Sequence, residues 1–352
     1  MSISVLCFSK DRPLQLEGYL SSLFRFCGET LPVTVLYTCA KRFEPAYARL
    51  NLCFPTVDFV KEVDFKDQVL ECIRQIRTPL FMFGCDDVIF KRPWHPQEIW
   101  RLFQTLPQTL AFSLRLGREI TYCHPLGRDM SAPDFLRVDP FLLWRWPLGD
   151  ADWGYPWELD CTLYATQFVK KTLLWIEKFD WGHPNLLEGH GANMIRSTKG
   201  LDLLAQHSSS RGGVLARILK AMLVTIDKRP LHRLEAISLR SGLNQIMFDT
   251  VIRRTGGLGL MASYPRARAS VLTINRVQDM SPNPVYEGDL TVDMLLNKWN
   301  NGTVLNIDAY ARRSHASIHI GEVHFCQRMG QNLKMCNSQG KGNTPRGAYF
   351  PP

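Results

Sequence analysis

The sequence predicts an α/β fold in which a mainly parallel sheet is flanked by helices. Its 352 residues are 45% hydrophobic and 21% charged, which is the composition of a globular protein. Strand-like and helix-like runs alternate through residues 1–115, and such alternation favours parallel strands joined by right-handed crossovers. No apolar run approaches the ~20 residues that a membrane-spanning helix needs.

The elements of this first region follow from hydrophobic periodicity. The strands are short apolar or β-branched runs at 3–8, 33–37, 57–60, 80–83 and 110–114. The helices carry apolar residues at helical spacing at 14–24, 43–50, 65–75 and 97–106. Pro13 and Pro96 precede the first and last of these helices and suit a helix start.

The remainder of the chain is divided by composition. Residues 120–160 are rich in Pro, Trp, Gly and Asp and are predicted to be loops over the sheet edge. Further elements are predicted as a helix at 166–179, a strand at 271–274, a helix at 292–299 and a strand at 317–325 with a bulge at Gly321-Glu322. We therefore divide the chain into 1–205, a basic helical insertion at 206–268, a return to the first domain at 269–327 and a disordered tail at 328–352.

The net charge of +9 is concentrated in the predicted insertion, which holds eleven Lys and Arg residues but only three acids. Clustered basic residues can neutralise nucleic-acid phosphates. Here they are interleaved with apolar residues, which suits a docked amphipathic helix or a membrane-surface element equally well. Peripheral membrane contact is therefore a possible role of this segment, and nucleic-acid binding is not favoured.

The ten cysteines are scattered and form no C-x-x-C pair, which argues against a zinc knuckle or a redox motif. No signal peptide precedes the first strand. These observations predict reduced cysteines and a cytoplasmic protein.

The most informative motif is Phe83-Gly84-Cys85-Asp86-Asp87, in which a buried strand ends in two carboxylates. Ligands collect at the carboxyl ends of strands in open α/β sheets. Mn²⁺ and Mg²⁺ prefer oxygen ligands, usually one or two carboxylates plus substrate phosphates. The alternative is a surface turn that happens to contain two Asp residues.

Other charged residues follow predicted strands or lie in the loop region. Ser9, Lys10 and Arg12 come at the end of the first strand, and an arginine there can bind a phosphate with two hydrogen bonds. Arg115 follows the fifth strand. Glu158 and Asp160 would share a face in an extended stretch but not in a helix, so their spacing does not choose between them.

These motifs, in this order, resemble the glycosyltransferases of the GT-A fold, in particular bacterial family-two-like enzymes. The similarity lies in residues 5–17, 83–90, 112–117, 152–160, 275–278 and 318–320. It covers about residues 1–205 and 269–327, which would together form the nucleotide-sugar-binding and catalytic domain.

The resemblance implies a nucleoside-diphosphate sugar as donor and Mn²⁺ or Mg²⁺ held by a D-x-D motif. Asp87 would match the last acid and bind the metal, with Asp86 as a metal or ribose partner and Cys85 at the first position. If Asp86 is instead the first acid, Val88 stands at the last position. His319 fits a late histidine that completes the metal shell, and Ser9, Lys10, Arg12, Asp86 and Arg115 would bind the donor.

The resemblance also favours Asp160 as the base that an inverting transfer needs on the acceptor hydroxyl, with Glu158 and Asp152 as further candidates. Asp160 could instead cap the following helix. The acceptor would be a glycan, a lipid-linked molecule or a protein, approached by residues 183–190 and by the aromatic residues of 144–157. Those rings could equally be core anchors.

Two other functions are compatible with portions of the sequence. A nucleotidyltransferase also places acids at strand ends, but it would usually carry a Gly-rich phosphate loop, which residues 9–16 lack. A nucleic-acid-binding protein would use the basic segment 206–268.

Overall fold

The computed structural model describes residues 3–29, 31–107, 109–196, 259–275 and 290–328. Its strands are β1 (Ile3–Lys10), β2 (Val33–Thr38), β3 (Val57–Lys61), β4 (Leu80–Cys85), β5 (Val88–Phe90), β6 (Thr109–Ser113), β7 (Tyr122–Cys123), β8 (Arg128–Asp129), β9 (Leu136–Val138), β10 (Phe141–Arg145), β11 (Thr162–Ala165), β12 (Leu260–Ser263), β13 (Ala269–Leu272), β14 (Thr303–Leu305), β15 (His319–Ile320) and β16 (Phe325–Gln327). Its α-helices are α1 (Pro13–Phe26), α2 (Glu44–Cys53), α3 (Phe65–Gln75), α4 (Pro96–Thr105), α5 (Thr166–Ile176), α6 (Pro184–Arg196), α7 (Val292–Asn300) and α8 (Ile307–Ala311).

Nine strands form the central sheet, in the order β3-β2-β1-β4-β11-β6-β12-β10-β9. Strands β1 to β4 are mutually parallel, and β12 is parallel to β6. Only β11 and β10 run against the other strands. The predicted fold class, a mainly parallel sheet flanked by helices, is confirmed.

Helices cover both faces of this sheet. One core contains side chains of α1, α2, α4 and α7, and the other contains side chains of α3, α5 and α6. The first helix begins at Pro13, as predicted, and buries Leu14, Leu16 and Leu20. Strand β4 is buried on both faces because helices cover it on each side.

A close contact explains the glycine near the end of β4. A Cβ atom added to Gly84 would lie 2.2 Å from the hydroxyl oxygen of Tyr19, which is buried on α1. Only glycine leaves room for the tyrosine at this point. Helix α1 therefore packs directly beneath the two aspartates that follow β4.

Four strands of the central sheet, β9 to β12, were absent from the sequence prediction. β9 and β10 lie in the region predicted to be loops, and β11 is a four-residue strand between β4 and β6. β11 has no periodicity of its own because it is buried and very short. Its position in the sheet is set by pairing with β4 and β6, which are distant in sequence.

The stretch 206–268 is predicted to be a basic helical insertion. Its described end, residues 259–268, instead supplies β12, which lies between β6 and β10 in the central sheet. Residues 206–258 and the predicted tail from 329 lie outside the described residues. The helical character and membrane contact of the insertion therefore stay predictions.

The predicted strand 317–325 is two separate strands. β15 joins a small sheet with β13 and β5, and β16 pairs with β14. The chain changes partner at the Gly321-Glu322 break. This separates His319 from His324, which contacts Tyr310 and Glu322 instead.

The cysteines depart from the prediction at one position. Eight described cysteines are free thiols, whereas Cys53 is disulfide-bonded. Among the described helices, none has the length and apolarity to cross a membrane. A cytoplasmic location stays a prediction.

Candidate active site

The first half of the site lies where β1 and β4 end side by side. Asp86 follows β4 and is buried, and it accepts hydrogen bonds from Ser9 Oγ at 2.8 Å and from the Lys10 amide at 3.2 Å. The Ser9 hydroxyl also lies 2.7 Å from the hydroxyl of Tyr47. Asp86 is therefore not a surface residue, although Asp86 and Asp87 form the turn between β4 and β5.

Arg12 joins the two aspartates. Its Nη1 lies 3.2 Å from Oδ1 of Asp86 and 2.9 Å from Oδ2 of Asp87. Its Nη2 donates to the carbonyl oxygen of Asn275 at 2.6 Å. The guanidinium is buried, and its Nε has no partner among the described residues. Arg12 therefore organises the acids and is not free to turn toward a distant phosphate.

The aspartates carry more negative charge than Arg12 offsets. Burial, together with the carboxylates of Asp86 and Asp160, raises the pKa of Asp87 to about 7, against the opposing charge of Arg12. Burial also raises the pKa of Asp86. Burial disfavours the ionised form of each carboxyl group, and a further cation beside the pair would stabilise that form.

Replacing Arg12 with methionine is expected to lower the free energy of unfolding at pH 8 by about 3–5 kcal/mol, because two buried carboxylates lose their counter-ion. The loss should be smaller at pH 5, where the raised pKa values let both acids take up protons. Urea denaturation at both pH values measures this.

The control is Arg42→Met, which removes an exposed ion pair with Asp293 whose side chains are 55% and 56% exposed. Such a pair contributes at most about 1 kcal/mol. Equal losses in the two variants, or a larger Arg12→Met loss at pH 5, would contradict the proposed role of Arg12.

The second half of the site is built around Arg115, just after β6. The buried guanidinium forms an ion pair with Glu158, and its Nη1 lies 3.1 Å from Oδ2 of Asp160. Glu158 is itself buried and hydrogen-bonds the Thr162 hydroxyl on β11. This half therefore repeats the arrangement around Arg12, with one arginine between two carboxylates.

Both arginines hold one buried carboxylate and one that reaches the surface. The side chains of Asp87 and Asp160 are 21% and 20% exposed, against 5% for Asp86 and 8% for Glu158. Asp87 and Asp160 are close enough for Asp160 to raise the pKa of Asp87. A substrate that approaches Asp87 and Asp160 from solvent would meet these two acids and not their buried partners.

The local backbone turns sharply after Asp160. Cys161 has a φ of 64°, in the left-handed region, and its amide donates to the carbonyl oxygen of Phe83 on β4 at 3.0 Å. The next helix, α5, begins after Ala165 and has no side-chain cap. The alternative in which Asp160 caps that helix is therefore wrong.

Asp152 and His319 lie near Arg115. Burial raises the pKa of Asp152, whose Oδ2 has no partner among the described atoms, and the charge of Arg115 opposes this. Burial, together with the charge of Arg115, lowers the pKa of His319 to about 3, against the opposing charge of Asp160. The His319 imidazole is thus neutral, its buried Nδ1 lacks a partner among the described residues, and neutral imidazole is the form that binds metals.

The residues present suit a divalent cation, although no three His, Cys, Asp or Glu side chains of the described ranges form a metal-binding group. The donors near the crevice are carboxylate oxygens and one neutral imidazole, which Mn²⁺ and Mg²⁺ accept. Asp86 already accepts three hydrogen bonds, from Ser9, Lys10 and Arg12. Asp87 therefore has the better position for a ligand, and substrate oxygens would complete the shell.

Sequence analysis placed residues 183–190 on the acceptor side but gave the Glu188 carboxylate no role. This residue of α6 accepts hydrogen bonds from the Tyr155 hydroxyl at 3.0 Å and from the Leu159 amide at 3.2 Å. Burial and the Asp160 carboxylate raise its pKa to about 7. No local signal could have found it, because the contact joins a helix to a distant loop.

The predicted acceptor-side aromatic residues are mostly core. Trp144, Trp153 and Trp157 are fully buried, and Trp146 is nearly so. They pack against one another and against β4 and β11, so the core alternative is correct for these rings. His190 stacks on Phe179 and has its ring nitrogen 3.2 Å from a backbone oxygen.

The mainly parallel sheet with acids at its strand ends has the predicted fold class, and the sequence is similar to that of a glycosyltransferase, as the resemblance predicted. Over 349 residues it is 26% identical to the bifunctional glycosyltransferase pgtA of Dictyostelium discoideum. The match covers 91% of this chain but only 39% of that relative. No protein-family model matches the sequence.

Solved structures are similar only at a distance. Residues 1–349 of S. aureus TarS in complex with UDP-GlcNAc give a TM-score of 0.40 at 11% identity, covering 72% of this chain and 80% of that one. The mannosyltransferase PcManGT from Pyrobaculum calidifontis, in complex with GDP-Man and Mn²⁺, gives 0.28 at 10% identity, covering 66% and 83%. Values this low carry no argument about the site of this chain.

Proposed function

We propose that this protein transfers a sugar from a nucleoside-diphosphate donor to an acceptor hydroxyl with the assistance of a divalent metal. The observation that carries the proposal is that Asp87 and Asp160 are each paired with a buried arginine and are each partly exposed. Asp87 would bind a cation that stabilises the departing diphosphate, and Asp160 would accept the proton of the incoming hydroxyl. Homology to a glycosyltransferase supports the same reaction.

The donor side is the end of β1 and β4. Asp87, with His319 as a second candidate, would hold Mn²⁺ or Mg²⁺, which when bound stabilises negative charge on the leaving diphosphate. Ser9 and the Lys10 amide fix Asp86, and Arg12 fixes Asp87 relative to it. The Lys10 side chain is exposed and can reach a phosphate or base. This side of the site is therefore rigid before the donor arrives.

The acceptor side is the segment after Trp157. Asp160 is placed to accept the proton of the acceptor hydroxyl, and Arg115 holds one of its oxygens. Glu158 is buried against Arg115 and Thr162, so it positions the arginine and does not meet the substrate. Asp152 remains an alternative base because one of its oxygens has no described partner.

A thermal-shift screen with UDP, GDP and their sugars tests the donor site. A ligand present at 100 times its Kd stabilises the folded protein by about 2.7 kcal/mol. For a chain of this size we expect a rise in Tm of at least about 4 °C. The rise should require Mn²⁺ or Mg²⁺ and should disappear in excess chelator.

The Asp87→Asn variant is the control, because it should lose the metal-dependent portion of the shift while staying folded. The donor assignment would be refuted if no nucleoside diphosphate stabilised the wild-type protein, with or without metal. An equal shift in chelator would contradict the metal role and leave the exposed Lys10 as the candidate cation for the phosphates.

A further inference from the structure

We propose that Glu188 is a positioning residue that ties the Asp160-bearing segment to α6 and so sets the place of the catalytic carboxylate. This inference rests on the proposed function, in which Asp160 meets the acceptor hydroxyl. Glu188 does not touch the substrate in this scheme. It acts through the backbone of the segment 155–160.

The tie has two hydrogen bonds to one carboxylate. Oε1 of Glu188 accepts from the Tyr155 hydroxyl at 3.0 Å, and Oε2 accepts from the Leu159 amide at 3.2 Å. The Leu159 amide belongs to the residue directly before Asp160. A shift of that amide therefore moves the Asp160 side chain with it.

A glycine one turn further along α6 makes this approach possible. A Cβ atom added to Gly191 would lie 2.2 Å from Nε1 of Trp157. Trp157 is fully buried, and in the sequence it lies between Tyr155 and Leu159. Glu188 and Gly191 are three residues apart and share one face of the helix. Tyr155 and Leu159 thus contact α6 at Glu188, and Trp157 lies against the same face at Gly191.

The other side of the segment is fixed by β11 and β6. The Glu158 amide donates to the Tyr164 hydroxyl at 2.8 Å, and the Glu158 carboxylate pairs with Arg115. Trp157 packs against Tyr164 with ring centroids 4.9 Å apart. With α6 on one side and β11 on the other, Glu188 supplies the hydrogen bonds from the α6 side.

The charged and titratable groups around Glu188 fit this role. Burial and the charge of Glu188 raise the pKa of Tyr155 and of Tyr164. Burial and the Asp160 carboxylate raise the pKa of Glu188 to about 7, and the charge of Arg115 opposes them. Arg196 lies over the ring of Tyr155 at 5.1 Å. Both oxygens of the Glu188 carboxylate accept a hydrogen bond, which offsets part of the free-energy cost of burying it beside another acid.

The test compares Glu188→Ala with Glu188→Gln. Alanine removes both hydrogen bonds, and we expect kcat for sugar transfer to fall about 30- to 100-fold, as for a catalytic group displaced by about 1 Å. KM for the donor should stay within about twofold, because the donor site lies at β1 and β4. Glutamine should restore kcat to within about threefold, since its carbonyl accepts from Leu159 and its amide donates to Tyr155.

Hydrogen exchange of the Leu159 amide gives a readout that does not depend on activity. We expect its protection to fall at least about tenfold in Glu188→Ala and to return in Glu188→Gln, because a lost hydrogen bond lowers the cost of local opening. The control is Glu177→Ala, an exposed glutamate just after α5 that is 3.7 Å from Arg74. It should change neither kcat nor the Leu159 amide.

Three results would overturn the inference: wild-type kcat in Glu188→Ala, a Gln variant as slow as the Ala variant, or a loss of kcat with Leu159 protection unchanged. A wild-type protein that neither binds nor uses a nucleotide sugar would instead refute the proposed function. Leu159 exchange would then still decide whether Glu188 holds the segment.

Discussion

Replacing Asp87 with asparagine is expected to abolish sugar transfer and, at the same time, to make the folded protein more stable above pH 7. Asparagine has almost the same shape and can still accept the hydrogen bond from Arg12. It cannot supply the negative charge that holds a cation. We expect kcat to fall by about 10³ or more, as for the loss of a group that stabilises charge in the transition state.

The gain in stability follows from the pKa of Asp87. Its value in the folded protein is about 7, above its ordinary value of 3.8. The protonated carboxyl therefore favours folding below about pH 4, and this contribution is lost as the pH rises through 7. Asparagine does not ionise. At pH 8 the variant is therefore not destabilised by a buried negative charge at position 87, as the wild type is. Functional sites commonly hold such costly groups.

Melting temperatures at pH 5 and pH 8, together with kcat, check this prediction. The difference in Tm between Asp87→Asn and the wild type should be larger at pH 8 than at pH 5. Asp58→Asn, an exposed aspartate on β3, is the control and should alter neither quantity. Retained turnover, or a variant less stable than the wild type at pH 8, would refute the assignment of Asp87.

Asp160→Asn is expected to lower kcat by about 10²–10⁴ while donor binding is kept, because asparagine cannot accept the proton of the acceptor hydroxyl. The substitution leaves Glu158 paired with Arg115, so the fold around β6 and β11 should survive. In the proposed scheme, donor binding depends on Asp87 and Asp86, which follow β4. The loss should therefore appear in kcat and not in the affinity for the nucleotide.

Single-turnover assays and nucleotide-dependent thermal shifts separate these two quantities. Asp129→Asn, in the exposed strand β8, serves as the matched control and should behave as the wild type. Unchanged turnover in Asp160→Asn would remove it as the base. Asp152, which has one oxygen without a described partner, would then take its place as the candidate.

Much of the fold could be predicted because local patterns are strong in the first 115 residues. The structure confirms all five predicted strands and all four predicted helices of that region, with ends that differ by a few residues. The position of Asp86 and Asp87 at the end of β4 was also predicted, since an apolar run that stops at two acids marks a strand end. Periodicity of 2.0 or 3.6 residues is a local property that one segment carries by itself.

The other strands could not be predicted in this way. β11 is only four residues long and β12 follows a long stretch of different composition, yet both lie inside the central sheet. Their place is decided by hydrogen bonds to strands far away in sequence. Short buried strands carry no periodic signal.

By itself the sequence determined the alternation of strands and helices, the acids after β4 and the resemblance to glycosyltransferases. Only the tertiary structure decided which acid of each pair is exposed, that Arg12 and Arg115 each join two carboxylates, and that Glu188 reaches the segment of Asp160. The physical reason is that burial and ion pairing depend on atoms that the chain brings together from distant positions. No spacing along the sequence encodes them.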